Sequence, residues 1–561
     1  MQPFKITVAH RTWTIKSWDG ISDPVEAADE EFAALDTETE MIKEGSPIVP
    51  VILQVCFPRS STVYVTTAKQ MPDFIRRMDT LNPELEYVFH TAPFDLNVLD
   101  FRNNTLFAAL REGRVTDVYL RYMMESLDRG RFNSNASLKA MAKQLLKIEL
   151  DKNSDIRCTF TLDAPLTKEH IEYAAIDSIV TALIRDILVS KYETEQLQLL
   201  GYIALNSIGR NGFLIDREYL DKVRKDVKDD IESKLYVLNT FGFWPGKKNN
   251  THVLQKLLAS FETRYNLTFP KTPTGKISTT DALLEKLGDN CPPFLHCYKE
   301  YVHLNKMMKN FLSDKYIYAD GRAHPHFRPL VATGRTSCSK VNIQQVPRKE
   351  GMRGIYVAPE GKVLLAVDYC QAELCALAEH CLLNYGESRM AEIINSGTDL
   401  HSWFGKVLMK ESGLNPENES KEVLKEFRQM SKSASFGYPG GLGPQTFMEY
   451  AKGYGLDIDL DGARKLKEVW LNTFPEMKYH LKPTEDTIST SKEVKKYCKE
   501  HLDRMYWDTE TIQDLSGVLK QTGKTEKEIR DITFKMNRYM STTLTGRVKR
   551  NSTYSAALNY V

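Results

Sequence analysis

The stretch Lys362-Val-Leu-Leu-Ala-Val-Asp-Tyr-Cys-Gln-Ala-Glu-Leu374 combines a continuous apolar run with an acid at its end. The run from Val363 to Val367 predicts a strand that is buried on both faces of a sheet. Asp368 follows it directly, and a helix is predicted to begin near Gln371. Because a strand holds the residue at its end rigidly, Asp368 is a candidate metal ligand.

Downstream, a predicted helix carries two cations and an aromatic ring at regular spacing. Arg428, Lys432 and Phe436 follow one another every fourth residue, and on a helix each such step drifts by only about 40°. The three side chains therefore form one stripe, which suits a nucleoside triphosphate because cations neutralise phosphates and a ring stacks on a base. A solvated basic face with one core phenylalanine is the alternative interpretation. Gly437 and Pro439 are predicted to end the helix.

Upstream, two polar segments contain amides and an arginine. Arg328-Pro-Leu-Val-Ala-Thr-Gly-Arg-Thr-Ser337 is predicted to be a strand that ends in a turn, and Asn342-Ile-Gln-Gln-Val-Pro347 follows it. Each Asn or Gln amide offers both a donor and an acceptor, so these side chains can read base edges or minor-groove acceptors. Taken alone, the second segment is simply a polar loop.

The first third of the chain contains acids in a recurring arrangement. The apolar strand Glu31-Phe-Ala-Ala-Leu35 leads into Asp36-Thr-Glu38, whose two carboxylates point to the same side of an extended segment. Such a pair repels unless a cation lies between its members. A second predicted strand, Tyr87-Val-Phe-His90, precedes Asp95.

A helix with Thr167 as its predicted N-cap places Tyr173 and Asp177 four residues apart, on one face. The order D-x-E, H-x-x-x-F-D and Y-x-x-x-D resembles the DEDD superfamily of 3′–5′ exonucleases, in the subclass with a tyrosine before the last acid. The resemblance covers about residues 1–195. It implies that Asp36, Glu38, Asp95 and Asp177 hold two Mg²⁺ or Mn²⁺ ions, and that Tyr173 orients the attacking water.

From about residue 200 to the end, the order of the remaining motifs resembles the family A DNA polymerases, the DNA polymerase I-like group. The resemblance implies that Asp368 binds both ions of a second two-metal site with help from the Tyr369 carbonyl. Glu373 would exclude a ribose 2′-hydroxyl. The implied nucleotide-binding residues are Tyr369, Gln371, Glu373, His401, Arg428, Lys432 and Phe436. The implied DNA-binding residues are Arg335, Gln344, Gln345 and Asn559.

The resemblance predicts an α/β multidomain protein, with an RNase H-like exonuclease domain followed by a right-hand polymerase whose palm is incomplete at the C-terminus. Two positions depart from the polymerase pattern. Cys375 stands where an arginine is usual, and Gly440 stands where a tyrosine would stack near the templating base, a role for which Tyr438 is a candidate substitute. The predicted domains are exonuclease 1–195, thumb 196–325, first part of the palm 326–400, fingers 401–540 and a truncated return to the palm at 541–561.

Family A polymerases place a second palm carboxylate in a His-Asp-Glu turn, and these 561 residues contain no His-Asp dipeptide. Three hypotheses remain open. The chain is the larger piece of a split polymerase, and a second polypeptide supplies the missing acid. Alternatively, it is an exonuclease whose polymerase half is a non-synthesising primer–template clamp, or a fragment of a one-chain enzyme. The apolar ending Ala556-Ala-Leu-Asn-Tyr-Val561 is expected to be the first half of a palm helix.

Composition adds broad limits. Net charge is +1, so the total argues neither for nor against nucleic acid, and local clusters such as Lys247, Lys248, Lys271 and Lys276 carry that question. Nine cysteines without a C-x-x-C pair disfavour zinc fingers and disulfides. We expect a soluble cytoplasmic protein without a membrane span, in a phage-infected bacterial cell if the phage-like lack of a leading 5′-nuclease domain is meaningful. Expected partners are primer–template DNA, dNTPs, the second polypeptide and, as a further candidate, a processivity factor.

Overall fold

The protein is described from a computed structural model. The structure describes residues 2–130, 135–150, 154–189, 193–245, 250–265, 267–269, 271–272, 275–279, 292–348, 351–488, 525, 528, 537–543, 548–552 and 554–558. Three residues with predicted DNA contacts, Lys247, Lys248 and Asn559, lie outside this set.

The first part of the chain is built on one mixed seven-stranded sheet in the order β1-β2-β5-β4-β3-β6-β7. Strands β2 and β5 run parallel, and so do β3, β6 and β7. Strand β4 is antiparallel to both of its neighbours, β5 and β3. The apolar runs of the sequence lie on the central strands, whose side chains are buried on both faces. The strands are β1 Phe4–Val8, β2 Arg11–Ser17, β3 Phe32–Thr39, β4 Pro50–Phe57, β5 Thr62–Thr67, β6 Glu86–Phe89 and β7 Val115–Asp117.

Within the described residues, seven α-helices accompany this sheet, and the longest of them, α7, packs across β3, β4, β5 and β6. Thr167 caps α7 by accepting a hydrogen bond from the His170 backbone N–H, which confirms the predicted start of this helix. The helices are α1 Met71–Leu81, α2 Ala92–Val98, α3 Leu106–Arg111, α4 Val118–Asp128, α5 Leu138–Met141, α6 Ser154–Arg157 and α7 Lys168–Ile187.

Helix α8 (Glu195–Asn211) links the first sheet to the next region. Its Leu199 and Ile203 belong to the hydrophobic core of the sheet, while its last turns pack against the segment around Phe327. The next region contains α9 and α11, which pack together, and a small sheet in the order β12-β8-β9. Its elements are β8 Phe213–Ile215, α9 Arg217–Thr240, α10 Asn250–Tyr265, α11 Pro293–Asn310, β9 Arg322–Ala323, β10 His326–Arg328, β11 Ser337–Ser339 and β12 Tyr356–Val357.

The third region is helical and has its own hydrophobic core, which runs from Leu374 to Met477. Its first helix begins at Ala372, and its fourth ends at Gly437, as the sequence predicted. The helices are α12 Ala372–Tyr385, α13 Arg389–Asn395, α14 Leu400–Glu411, α15 Lys421–Gly437, α16 Pro444–Lys452, α17 Leu460–Thr473 and α18 Met477–His480. These separate cores agree with a multidomain α/β architecture; the predicted domain boundaries stay a prediction.

The last described elements are β13 Thr484–Ile488, β14 Asn537–Thr542 and β15 Val548–Ser552, which form one antiparallel sheet, and the short helix α19 Tyr554–Leu558. The Tyr554 hydroxyl donates a hydrogen bond of 2.8 Å to the Leu481 carbonyl. The Tyr554 ring also packs on Gly441, whose φ of +80° and lack of a Cβ permit this approach. Ala557 and Leu558 are buried, and the Leu558 side chain also lies close to Gly441.

Candidate active sites

Three carboxylates from distant parts of the sequence meet at the end of strand β3. Asp36 and Glu38 lie on β3, and Asp177 projects from α7, which crosses that strand. Each of the three offers an oxygen, and these oxygens all lie within 4.8 Å of one another. Because like charges at this separation repel, the arrangement favours a bound divalent cation.

Asp36 is oriented by Gln54, a residue that sequence reasoning missed. The two face each other across the antiparallel pair β3–β4, and the Gln54 Nε2 donates a hydrogen bond of 2.8 Å to the Asp36 Oδ2. Gln54 is fully buried. A single amide within the apolar strand Pro50–Phe57 was the available signal, because a buried polar side chain needs a partner.

Asp95 is tied to the same strand by a different contact. Its Oδ1 accepts hydrogen bonds from the Thr37 backbone N–H at 3.0 Å and from the Thr37 hydroxyl at 2.6 Å. Thr37 lies between Asp36 and Glu38, so Asp95 is anchored beside the acid pair, although it is not in the group of three. Burial raises the pKa of Asp95 to about 7, against the opposing effect of the Thr37 hydrogen bonds.

The helix that carries Asp95 begins in an unusual conformation that a buried acid stabilises. Thr91 has φ of 73°, and its backbone N–H donates to the Asp117 Oδ1 at 3.1 Å. The Ala92 N–H donates to the other Asp117 oxygen at 3.0 Å. Asp117 also caps α4 through the Tyr119 N–H at 2.9 Å, and burial raises the pKa of Asp117 to about 6. One carboxylate therefore fixes the starts of two helices and, through α2, the position of Asp95.

Tyr173 lies one helical turn before Asp177, with its ring 6.2 Å from that of Phe160. Burial raises the pKa of Tyr173 well above its usual range, and the negative charges of Asp177 and Glu38 add to this effect. The phenol therefore stays protonated and can donate a hydrogen bond near the acids.

In the helical region, the stripe of α15 faces outward and Arg428 is already held in place. The Arg428 Nε donates to the Asp399 Oδ2 at 3.0 Å and lies 3.2 Å from the Ser402 hydroxyl. Asp399 in turn caps α14 through the Ser402 backbone N–H. Lys432 and Phe436 are half-buried, whereas Ser431, Ala434 and Ser435 on the other side of the helix are buried.

His401 lies beside this stripe with an unused polar atom. Its ring centroid is 5.4 Å from that of Phe436, and the residue is only 4% exposed. Its Nδ1 is buried and has no hydrogen-bond partner among the described residues. Burial lowers the pKa of His401 to about 4, so the imidazole is neutral near pH 7. A buried unpaired nitrogen of this kind is suited to a polar ligand group.

The expectation of a buried strand before Asp368 is wrong. Residues 358–369 form no strand, and the side chains of Val363, Leu365 and Val367 are more than four-fifths exposed. A strand buried on both faces needs neighbouring strands, and none of the described strands pairs with this segment. Asp368 and Tyr369 are exposed as well.

Several of the predicted nucleotide- and DNA-binding residues make polar contacts with other described residues. Arg335, in the turn between β10 and β11, lies 3.3 Å from the Glu373 carboxylate in the first turn of α12. Gln371 accepts a hydrogen bond of 3.0 Å from the Leu400 N–H. Gln344 donates to the Thr336 hydroxyl at 3.0 Å, and Gln345 is exposed beside it.

Tyr438 cannot substitute for the missing tyrosine at Gly440. It is fully buried, its ring stacks on Phe447 at 4.4 Å, and its hydroxyl donates to the Ala463 carbonyl at 2.9 Å. Its ring is thus part of the helical core and is not available to a base.

Two family models match the chain, and together they cover most of it. Residues 218–513 match the model described as DNA polymerase family A, and residues 21–193 match the model of a 3′–5′ exonuclease. The first match spans more than half of the 561 residues. The chain belongs to DNA polymerase family A. Its exonuclease domain, with the acids of β3, precedes the polymerase region, with the stripe of α15.

Two curated relatives of the chain are bacterial enzymes named DNA polymerase I. The chain is 31% identical over 271 residues to DNA polymerase I of Aquifex aeolicus, a match that covers 48% of this chain and 44% of the relative. It is 24% identical over 492 residues to DNA polymerase I of Caldicellulosiruptor bescii, covering 84% and 52% respectively. The chain thus spans about half the length of these relatives.

A solved structure shows a similar fold. It is the POL domain of Pol1 from M. smegmatis in complex with a DNA primer-template and dNTP, and its TM-score is 0.60 at 17% identity. The match covers 95% of this chain and 83% of that one.

The helices within the described part of the chain include none with the length and apolar character of a membrane span.

Proposed function

We propose that this chain hydrolyses DNA from the 3′ end at its first site and is the large piece of a template-directed DNA polymerase. The proposed nuclease residues are Asp36, Glu38, Asp95, Asp177 and Tyr173. The observation that carries this proposal is the convergence of three carboxylates from β3 and α7 within 4.8 Å. Proofreading is the corresponding role, because a misincorporated nucleotide lies at the 3′ end of the primer.

The donor set fits two Mg²⁺ or Mn²⁺ ions, since carboxylate oxygens are the ligands these ions prefer. When bound, such ions stabilise the charge that develops on the attacking and leaving oxygens of a phosphodiester. Gln54 holds Asp36 in one orientation, and Thr37 holds Asp95 beside the acid pair. The protonated Tyr173 hydroxyl would orient a water molecule toward the phosphate.

The nuclease proposal is tested with a 3′-labelled and a 5′-labelled single-stranded oligonucleotide in Mg²⁺ and in EDTA. We expect the label to leave the 3′-labelled strand at once as a mononucleotide, and the 5′-labelled strand to shorten stepwise, in Mg²⁺ only. Internal cleavage, or equal activity in EDTA, would contradict a two-metal 3′–5′ exonuclease.

The second site is proposed to bind a dNTP and a primer–template. Arg428, Lys432 and His401 would contact the triphosphate, and Phe436 would pack on the sugar and base. The assignment is supported by the Arg428 side chain, which Asp399 already holds, and by the neutral His401 imidazole, whose Nδ1 has no hydrogen-bond partner within the described part of the chain. Tyr369, Gln371 and Glu373 would complete the nucleotide site near Asp368. Primer–template contacts are proposed for Arg335, Gln344, Gln345 and Asn559.

Synthesis is proposed to require a second polypeptide with a His-Asp-Glu turn. The supporting observation is the run Val363–Val367, whose apolar side chains are exposed to water directly before Asp368, the proposed metal ligand. Strands of a partner would cover these side chains and would bring a second carboxylate to Asp368. A single carboxylate gives weak support to two divalent ions, because Mg²⁺ at such sites is bound through one or two carboxylates together with substrate phosphates. We further propose a processivity factor as an additional partner and a phage-infected bacterial cell as the location of the protein.

Equilibrium binding of a dNTP to the complex of the chain with primer–template distinguishes a polymerase from a non-synthesising clamp. We expect the Lys432→Ala variant to bind dNTP about tenfold more weakly, since it removes a charge-assisted contact. A protein that binds primer–template but shows no saturable dNTP binding would be a clamp instead.

A further inference from the structure

Helix α8 has an apolar face that no described part of the chain covers. Leu197, Gly201, Ala204 and Ile208 follow one another at intervals of four, three and four residues, so they share one face of the helix. All four are exposed, and Leu197 is 62% exposed. Leu200, at the edge of this face, is also exposed. The opposite face packs into the core of the exonuclease domain, so α8 is apolar on two sides and covered on one.

Helix α9, the next helix along the chain, has a different exposed face. Between Asp221 and Asp230 all of its exposed positions carry Asp or Lys. A helix with one face in water normally carries charges there, whereas a helix that is apolar all round is normally covered all round. Contiguous apolar faces exposed on a protein mark interaction sites. The uncovered face of α8 therefore indicates an interaction surface.

Gly201, in the middle of this face, is not explained by packing within the chain. A Cβ added there would meet no neighbouring heavy atom of the described structure within 4 Å. Glycine in the middle of a helix is destabilising relative to alanine, so its presence needs a reason. Two helices can lie closer together where the side chains at their contact are small. The glycine therefore suits a position at which a second helix approaches.

The face has the same pattern in both directions along the helix. Leu197 lies four residues before Gly201, and Ile208 lies four residues after Ala204, so large, small, small and large side chains are arranged symmetrically. A second α8 placed antiparallel across this face would bring the partner's Ile208 against Leu197, and the partner's Ala204 against Gly201. A two-fold dimer requires a self-complementary surface of this kind.

Charges at the two ends of α8 fit the same antiparallel arrangement. Glu193 lies just before the first turn and Arg210 lies in the last turn. Both are exposed, and neither forms an ion pair with a residue that the structure describes. In an antiparallel pair the end of one helix lies beside the start of the other, so Arg210 would face the partner's Glu193. A parallel pair would bring like charges together, which is unfavourable.

We propose that α8 is a dimerisation surface at which two copies of this chain pair antiparallel about a two-fold axis. Leu197 and Ile208 supply the apolar contact, Gly201 allows the two backbones to approach, and the pairs of Glu193 with Arg210 fix the direction. The face extends over about 18 Å of helix. A contact of this length lies at the small end of specific interfaces, so the dimer should form at micromolar concentrations.

Sedimentation equilibrium of the full chain without DNA, over roughly 1 to 100 µM, tests the proposal. We expect a monomer–dimer equilibrium with a dissociation constant of about 10 µM. Leu197→Glu places a charge in the apolar contact and should raise this constant at least about tenfold. Leu383→Glu is the matched control at an exposed leucine of α12 and should dimerise like the parent chain.

Gly201→Gln separates dimerisation from folding. In the single chain its side chain extends into open space, and glutamine favours a helix more than glycine does, so the Tm of the monomer should stay the same or rise. In the dimer the same side chain would push the two helices apart, so the dimer should be lost. A lower Tm would show that this face is needed for packing within the chain and would overturn the proposal.

Exchange of the end charges tests the direction of pairing. Glu193→Arg and Arg210→Glu should each weaken the dimer about fivefold, because each variant opposes like charges at both ends of the pair. The double variant restores opposite charges and should dimerise with the parent affinity. Single variants with unchanged affinity would contradict the antiparallel arrangement.

Two further outcomes would overturn the inference. A parent chain that stays monomeric up to about 100 µM would exclude a second copy and leave a different protein as the occupant of this face. A dimer that survives both Leu197→Glu and Gly201→Gln would place the contact elsewhere on the molecule.

Discussion

The acids of β3 and Asp368 both follow apolar runs, yet their surroundings differ sharply. The run before Asp36 is a buried strand between β4 and β6, and its acids meet Asp177 from a helix that crosses the sheet. The run before Asp368 is exposed and unpaired, and its acid faces solvent. An apolar run thus fixes the position of the acid that follows it only when neighbouring strands hold the run in place. The proposed nuclease site is assembled from residues of this chain, whereas Asp368 lacks comparable support among the described residues.

The largest expected effect is the loss of excision when the acids of β3 are removed. The Asp36→Ala/Glu38→Ala variant should trim single-stranded DNA about a thousandfold more slowly or worse, because it removes ligands of both ions. Asp368→Ala is the matched variant at the other acid and should excise at the parent rate. Release of labelled mononucleotide from the 3′ end measures both. Equal loss in the two variants would erase the distinction between the sites.

A smaller effect is expected from the tyrosine that faces the acids. Tyr173→Phe keeps the ring against Phe160 but removes the hydroxyl, so kcat for excision should fall roughly tenfold to 100-fold. Tyr64→Phe, which removes the hydroxyl bonded to Glu26 on the opposite side of the sheet, is the control. If Tyr173→Phe excises as fast as the parent protein, this hydroxyl does not orient the water.

The hydrogen bond from Gln54 to Asp36 can be removed while all the proposed metal ligands are kept. Gln54→Leu preserves the approximate volume of a fully buried side chain but removes the hydrogen bond to Asp36. The Mg²⁺ concentration for half-maximal excision should rise about tenfold, since partners of metal ligands commonly contribute this much to affinity. The saturated rate should change little. A parent-like Mg²⁺ dependence would mean that the strand alone positions Asp36.

The smallest expected effect concerns folding stability at acid pH, which should fall more in the helical region that contains His480 than in the exonuclease domain. Burial lowers the pKa of His480, in the helical core, from 6.5 to about 4. The unfolded chain therefore binds a proton that the folded one excludes, so stability is full above pH 6.5 and declines as the pH falls toward 4. His480→Gln should reduce this decline by about 1 to 2 kcal/mol.

Hydrogen exchange at pH 7.5 and pH 5 measures this difference by region. In the parent protein, peptides from α17 and α18 should lose protection at the lower pH, and the variant should lose less. Peptides from β3 and β4 should be the same in both proteins. His252→Gln, at an exposed position on α10, is the control. Identical pH dependence in parent and His480→Gln would exclude this histidine as the cause.

Local sequence patterns predicted helices and strands correctly where the segments that pack against them are present in the structure. The capped helix with Tyr173 and Asp177, the helix that starts after Gln371 and the one that ends at Gly437 follow from capping and spacing alone. The Gln54 and Thr37 contacts could not be predicted, because they depend on strand register and on the docking of α2. The strand before Asp368 was predicted wrongly, since burial depends on partner strands as well as on the run itself.

The most direct comparison of the two sites measures excision and extension of a primer with one preparation of this chain. A recessed primer–template is incubated with Mg²⁺ and all four dNTPs, and Asp36→Ala/Glu38→Ala is run in parallel so that excision does not mask extension. We predict that the parent chain shortens the primer and that neither protein elongates it beyond trace levels. Elongation to the end of the template by the isolated chain would contradict the proposal, because it would show that Asp368 already has a second palm acid within this sequence.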